Sequence, residues 1–215
     1  MALNPKIIYG ISRDGYVILG DSTYNYANDN NIIDLMIKYK KVQIDDGFNM
    51  PIDFLPNGIT YLNIGRSFNY PIDNLPLTLK SLTIRPYRNI GYIEFNQPLD
   101  YLPHGLEYLY IGLNSYFDQE LNHLPTTLKY LEINNVRMMT KIDINSFPDS
   151  IETIKIKTVY YDVINKLPEN LKVFYMVGGD SSDWDDTDNV DQLNSETPEE
   201  KFINRFSGRN IEFRN

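Results

Sequence analysis

The chain has no cysteine, no Asn-x-Ser/Thr sequon and no apolar run long enough to cross a membrane. Without cysteine it can form neither disulfides nor thiolate nucleophiles or thiolate metal sites. The N-terminus, MALNPKIIYG, has no basic segment followed by an apolar run and a cleavage site, so we expect no signal peptide. These absences predict a cytoplasmic protein without membrane association.

A surplus of positive charge is also missing. The 215 residues carry a net charge of -9, with 29 acidic and 20 basic residues. Nine of the acidic residues lie between residues 178 and 200, where there is no Lys or Arg, so the rest of the chain is neutral. Nucleic-acid binding needs a basic surface, and we therefore expect no nucleic-acid partner.

Recognisable catalytic motifs are lacking as well. The sequence contains no G-x-S-x-G, no H-E-x-x-H and no Gly-rich phosphate loop. The two histidines, His104 and His123, come without the pattern of a third ligand. The acidic run DWDDTD, residues 183–188, lacks the Gly and Glu of an EF-hand loop. We expect a protein that is not an enzyme and that needs neither a metal nor another cofactor.

What the chain does contain is a repeat of about 22 residues. Each copy is anchored on a proline that follows an apolar residue, and the copies are spaced by 20, 27, 22, 23 and 20 residues. Apolar residues recur three, six and eight positions after each proline and four positions before it, with Asp or Asn three before. The anchoring prolines are Pro56, Pro76, Pro103, Pro125, Pro148 and Pro168.

This spacing predicts a leucine-rich-repeat-like solenoid built mostly of short parallel β-strands. Positions six and eight after each proline share one face of a strand, and stacked strands bury those faces together. The segment that returns the chain holds up to two prolines in six residues, which disfavours an α-helix. We therefore expect extended or 3-10 return segments, with turn groups satisfied by the Asp/Asn column.

The repeats divide the chain into four segments of one structural domain. Residues 1–47 are expected to form an N-terminal β-hairpin, turning at residues 13–15, and a capping coil in which residues 31–39 are either helix or irregular. Residues 48–177 hold the six repeats, and residues 178–196 form an acidic loop. Residues 197–215 are expected to form a C-terminal helix-strand cap, with Thr197 as N-cap and Pro198 in the first turn.

The sequences FNMPIDFLP, FNYPIDNLP and FNQPLDYLP resemble the FNIP repeat, a relative of the leucine-rich repeat found in social amoebae and in giant DNA viruses that infect amoebae. The resemblance implies a leucine-rich-repeat-like solenoid. A viral source would place the protein in the host-cell cytoplasm. Members of the family often carry an F-box ahead of the repeats, as substrate receptors of ubiquitin ligases do. Residues 1–47 instead indicate a hairpin and a cap, so that role would have to be filled without an F-box in this segment.

The residues between the buried strand positions point outward and are rich in tyrosine. Tyrosine is common in protein interfaces, although it also favours β-strands without any binding role. The pattern predicts a non-catalytic module that binds a protein partner through the exposed strand face. The alternatives are a structural or self-assembling virion-type protein, and thus a homo-oligomer, or a ubiquitin-ligase substrate receptor. The candidate partner-binding residues are Tyr61, Asn63, Tyr108, Tyr110, Tyr130, Glu132, Lys155 and Tyr175.

Overall fold

The structure is a computed structural model that describes residues 9–20, 23–86, 91–115, 117–135, 143–156, 164–176 and 198–214. Ten strands form one sheet in chain order. The first two strands pair antiparallel, and every later pair is parallel. The strands are β1 (Tyr9–Ile11), β2 (Val17–Leu19), β3 (Lys41–Ile44), β4 (Tyr61–Ile64), β5 (Ser81–Ile84), β6 (Tyr108–Ser115), β7 (Tyr130–Asn135), β8 (Thr153–Ile156), β9 (Val173–Met176) and β10 (Glu212–Arg214). This arrangement confirms the predicted solenoid of short parallel strands.

The core runs along the sheet through the predicted apolar columns. In β4 and β5, for example, Leu62 pairs with Leu82 and Ile64 with Ile84, and all four side chains are fully buried. Burying one such side chain stabilises the fold by about 1.5–3 kcal/mol. In five of the six repeats, the proline carbonyl accepts a hydrogen bond from the N–H three residues later, just before the strand begins. The carbonyl of Pro76, for instance, accepts a hydrogen bond of 3.0 Å from the N–H of Leu79.

The return segments place a second set of side chains in register. The rings of Phe68, Phe95 and Phe117 are stacked, with neighbouring centroids 6.3 and 6.2 Å apart, and all three are fully buried. No α-helix occupies the described return segments of the proline-anchored repeats. The return segment between β7 and β8 contains a 3-10 turn at Ile144–Ser146. The Phe column therefore closes the core on the side opposite the strands.

An asparagine follows each of the early phenylalanines and bonds to the next coil. The Oδ1 atom of Asn49 accepts from the N–H of Asn69 at 3.0 Å, Asn69 from Asn96 at 2.9 Å, and Asn96 from Asp118 at 3.0 Å. The sequence interpretation assigned this task to the Asp/Asn column nearer the proline. Of that column, Asn145 accepts from backbone N–H groups of the next coil, at 2.8 Å, whereas Asp53 and Asp100 bond to side chains.

The first coil returns through a helix instead of an extended segment. Helix α1 (Asn30–Tyr39) buries Ile32 and Met36 completely, which resolves the ambiguity at residues 31–39. Asp29 caps it, because its Oδ1 accepts from the N–H groups of residues 31 and 32, at 3.0 and 3.2 Å. Lys40 adopts the left-handed conformation, with φ 59°, and turns the chain into β3.

The C-terminal end of the described core is covered by helix α2 (Pro198–Arg205) and by β10. Phe202 is 1% exposed, and its ring lies 5.3 Å from that of Phe174 and 5.7 Å from that of Phe213. This is the predicted helix-strand cap. Thr197 and the acidic segment, residues 178–196, lie outside the described residues.

Helices of the described residues are all too short or too polar to span a membrane.

Candidate protein-binding face

The outward side chains of β3 to β10 form one surface, which we call the outer face. All eight predicted binding residues lie on it, in strands β4 to β9. In register, Tyr108 pairs with Tyr130, Tyr110 with Glu132, and Lys155 with Tyr175. The solenoid therefore brings together residues that are up to 114 positions apart in the sequence.

Four of the five predicted residues of β6 to β8 contact one another directly. The rings of Tyr108 and Tyr130 stack with centroids 4.5 Å apart and an angle of 8° between their planes. The Tyr130 hydroxyl donates a short hydrogen bond to Oε2 of Glu132, and Oε1 of Glu132 lies 3.0 Å from Nζ of Lys155. Glu132 is only 5% exposed, so a carboxylate is held almost out of water by these two partners.

The contacts continue to the C-terminal edge of the sheet through two residues that the sequence interpretation missed. The Lys155 ammonium lies 5.6 Å from the centre of the Tyr175 ring. Arg214 lies over the same ring, donates to the Tyr175 hydroxyl at 2.9 Å, and forms two bonds to Glu212 at 2.7 and 2.6 Å. The alternation of Ile211 and Phe213 was the signal that could have placed Glu212 and Arg214 on the outer face.

We call this part, from β6 to β10, the tyrosine half of the outer face. Two of its phenols, those of Tyr108 and Tyr130, have raised pKa values and so favour the neutral form. Burial raises the pKa of Tyr130, and the bond to Glu132 and the charge of that carboxylate raise it further. Burial, with a smaller contribution from Glu132, also raises the pKa of Tyr108. Tyr130 therefore acts as a donor toward Glu132, and this directs its hydroxyl along the face.

Ser81 and Thr83 of β5 lie between the tyrosines of β4 and β6. Ser81 pairs with Tyr61 on one side and with Tyr108 on the other. Both β5 side chains are half-buried, and they are the smallest pair of outward residues in β4 to β9. The outer face is thus interrupted at β5 by small hydroxyl side chains between larger neighbours.

On the other side of β5 the outer face carries a polar cavity of about 420 Å³. The turn of the β1–β2 hairpin supplies Ser12, Asp14 and Tyr16 to its wall. This turn is closed by a bond of 2.9 Å from the N–H of Tyr16 to Oγ of Ser12, and by Gly15 with φ 78°, which favours glycine. The strand side of the wall is formed by Ile18, Lys41, Gln43 and Asn63, with Arg85 directly after β5.

We call this cavity, with these eight lining residues, the cationic pocket. Of its residues only Asn63 was predicted from the sequence. The Nδ2 atom of Asn63 donates to Oε1 of Gln43 at 3.2 Å. The side-chain amide of Gln43 donates in turn to the carbonyl oxygen of Ile44 on the same strand. Tyr61, 43% exposed, lies at the border of the pocket, with its ring 5.5 Å from the Lys41 ammonium.

The other chemical candidates in the sequence do not form a site in the described part of the chain. Nδ1 of His123 lies 2.9 Å from Oδ1 of Asp100, and both side chains are exposed. Among the described residues, no group of three or more His, Asp or Glu side chains could hold a metal ion. The run DWDDTD falls outside those residues.

The fold and the register of this face define a leucine-rich-repeat-like solenoid. The FNIP Repeat family model matches residues 48–85 and 95–136, so these residues carry FNIP repeats, as their F-N-x-P sequences predict. No curated protein matches the chain. Among solved structures it is similar to CroV588, described as a novel circular LRR protein structure. The identity is 20% and the TM-score 0.48, and the likeness covers 78% of this chain but only 28% of that one.

Proposed function

We propose that this protein is a non-catalytic interaction module that binds a protein partner through the outer face. The observation that carries the proposal is the continuity of the tyrosine half, where rings and charged groups of adjacent parallel strands lie in register and fix one another. Aromatic side chains held in one conformation lose little entropy on binding. Solenoids of stacked repeats commonly bind through such an extended face. The absence of cysteine and sequons supports a cytoplasmic setting.

The binding test compares tyrosines of the outer face with exposed tyrosines of the return segments. The face variant combines Tyr108→Ala, Tyr110→Ala and Tyr130→Ala. The control variant combines Tyr70→Ala and Tyr101→Ala, which are 39% and 69% exposed on return segments. Wild type and both variants are coupled to beads, and the proteins that they capture from a lysate of the cell that makes this protein are quantified by mass spectrometry.

We expect a partner that wild type and control both capture and that the face variant loses by at least about tenfold, since central interface tyrosines are often worth 2 kcal/mol or more. Circular dichroism and urea unfolding must show that the face variant is folded. A partner retained equally by all three proteins would contradict the proposal. If the chain itself is the main protein recovered, and light scattering shows concentration-dependent association, the self-assembling alternative is favoured instead.

A further inference from the structure

The cationic pocket has a different chemistry from the tyrosine half and contains donors that find no strong acceptor among the described residues. Lys41 and Arg85 bring two positive charges to its wall, against the single carboxylate of Asp14. Within the described residues, the Arg85 guanidinium has no hydrogen-bonded acceptor and no ion pair. A guanidinium presents five donors in a plane and matches two-oxygen acceptors such as carboxylate and phosphoryl groups.

The Lys41 ammonium is held in position by aromatic rings rather than by an anion. It lies 5.5 Å from the centres of both the Tyr16 and the Tyr61 rings. Its nearest described acceptor is the carbonyl oxygen of Asp14, at 3.4 Å, which is a weak bond. An ammonium that is positioned but weakly bonded retains donors for a ligand.

Gly112 on β6 has no side chain, which lets Arg85 and the Tyr110 ring pack closely against that strand. A Cβ added at Gly112 would lie 3.1 Å from Cβ of Arg85 and 2.9 Å from the Tyr110 ring, tighter than most real contacts. The cavity volume of about 420 Å³ is within the range that holds small ligands or a side chain of a bound chain. Asn63 belongs both to this wall and to the outer face, so the pocket opens on the proposed binding surface.

We propose that the cationic pocket binds an oxyanion-bearing side chain, carboxylate or phosphoryl, of the partner that lies along the outer face. The inference rests on the proposed function for its protein partner. Lys41 and Arg85 bind the oxyanion, Tyr16 and Tyr61 orient Lys41, and Asp14 limits the affinity by repulsion.

The pocket is tested without the partner, using three peptides and full-length protein. The peptides are acetyl-Gly-Glu-Gly-amide, the phosphoserine counterpart and the neutral glutamine counterpart, and inorganic phosphate is the fourth probe. Binding is followed by NMR chemical shifts of the Asn63 and Gln43 side-chain amides. We expect the Glu or phosphoserine peptide to bind at least about tenfold more tightly than the Gln peptide, and the binding to weaken as salt is raised.

Three variants separate the charges that matter from net charge in general. Lys41→Gln and Arg85→Gln should each weaken the binding of the anionic peptide by about tenfold or more. Asp14→Asn should strengthen it by about 1.4–5-fold, as expected for one exposed charge. Lys201→Gln, an exposed change of the same charge on α2, should leave it unchanged.

Several results would overturn the proposal. Equal binding of the Gln and Glu peptides, or equal losses from Lys201→Gln and Lys41→Gln, would show that the pocket does not recognise an oxyanion. Inorganic phosphate binding as tightly as the phosphoserine peptide would indicate a free small anion instead of a protein side chain.

The pocket and the proposed function can fail separately. If a partner is lost by the tyrosine variant but not by Lys41→Gln and Arg85→Gln, the pocket fails and the proposed function stands. If peptide binding behaves as expected but no partner depends on the tyrosines, the pocket stands and the proposed function fails.

Discussion

The tyrosine half of the outer face and the cationic pocket use polar groups in opposite ways. In the tyrosine half, hydroxyl, carboxylate, ammonium and guanidinium groups bond mainly to one another, from Tyr130 through Glu132 and Lys155 to Arg214. In the cationic pocket, Lys41 and Arg85 have no carboxylate partner among the described residues. The same sheet therefore carries one region whose charged groups have partners within the protein and another whose charged groups have no carboxylate partner among the described residues.

This difference indicates how the tyrosine half and the cationic pocket would each recognise a ligand. Groups that are bonded to one another are fixed, so the tyrosine half offers a preformed shape and loses little entropy when it is covered. Groups that lack a partner offer unmet hydrogen-bonding capacity, so the pocket selects by charge. The small residues Ser81 and Thr83 of β5 separate the two regions.

The largest effect on stability should come from removing the acceptor at the centre of the tyrosine half. Glu132→Ala leaves the Tyr130 hydroxyl and the Lys155 ammonium without their acceptor in a largely buried place, which should cost about 1–3 kcal/mol of unfolding free energy. Asn63→Ala, the equivalent outward position on β4, loses one neutral bond to Gln43 and should cost about 0.5–1.5 kcal/mol. Urea unfolding of both variants measures the difference.

Glu132→Gln serves as the control, because it keeps an acceptor for Tyr130 and loses only the charge facing Lys155. Its cost should lie below that of the alanine variant. Equal stability of Glu132→Ala and wild type would show that the bonds among the polar groups of the tyrosine half do not stabilise the fold.

Alkaline pH should act on the tyrosine half with a smaller effect. The pKa values of Tyr108 and Tyr130 are raised in the folded protein, because burial and the Glu132 charge disfavour the phenolate. Their contribution to stability is therefore complete below the unfolded value of about 10 and is lost as the pH rises through the higher folded values. Tyrosinate absorbance should show phenols that ionise after the others.

In Tyr130→Phe one of these late ionisations should disappear, and the unfolding free energy should fall less steeply above about pH 10. Tyr70→Phe, an exposed tyrosine on a return segment, is the matched control. An unchanged set of late phenols in Tyr130→Phe would show that Tyr130 is not one of them.

The sequence was sufficient to predict the strands, the buried columns and the outward tyrosines, because all three follow from a period of two within a strand and a spacing of about 22 residues between strands. Contacts between coils were harder. Asn69, for example, accepts a hydrogen bond from the N–H of Asn96, 27 residues later in the chain. This bond depends on how the coils stack and not on local propensity. The cationic pocket was missed because it needs the hairpin turn to lie over the outer face, which brings Ser12 and Tyr16 beside Lys41 and Arg85.

The smallest effect on stability is expected in the pocket itself. Arg85 is exposed, and Arg85→Gln should change the unfolding free energy by no more than about 0.5 kcal/mol in either direction. Lys41 is half-buried, and Lys41→Gln also removes its contacts with the Tyr16 and Tyr61 rings, so it should cost about 0.5–1 kcal/mol. The double variant should lose no more than about 1 kcal/mol, because removing two like charges offsets part of the lost ring contacts. A loss of more than about 1 kcal/mol in urea unfolding would mean that these side chains hold the hairpin turn against the sheet. The pocket would then stabilise the fold as the tyrosine half does, and the contrast between the pocket and the tyrosine half would be wrong.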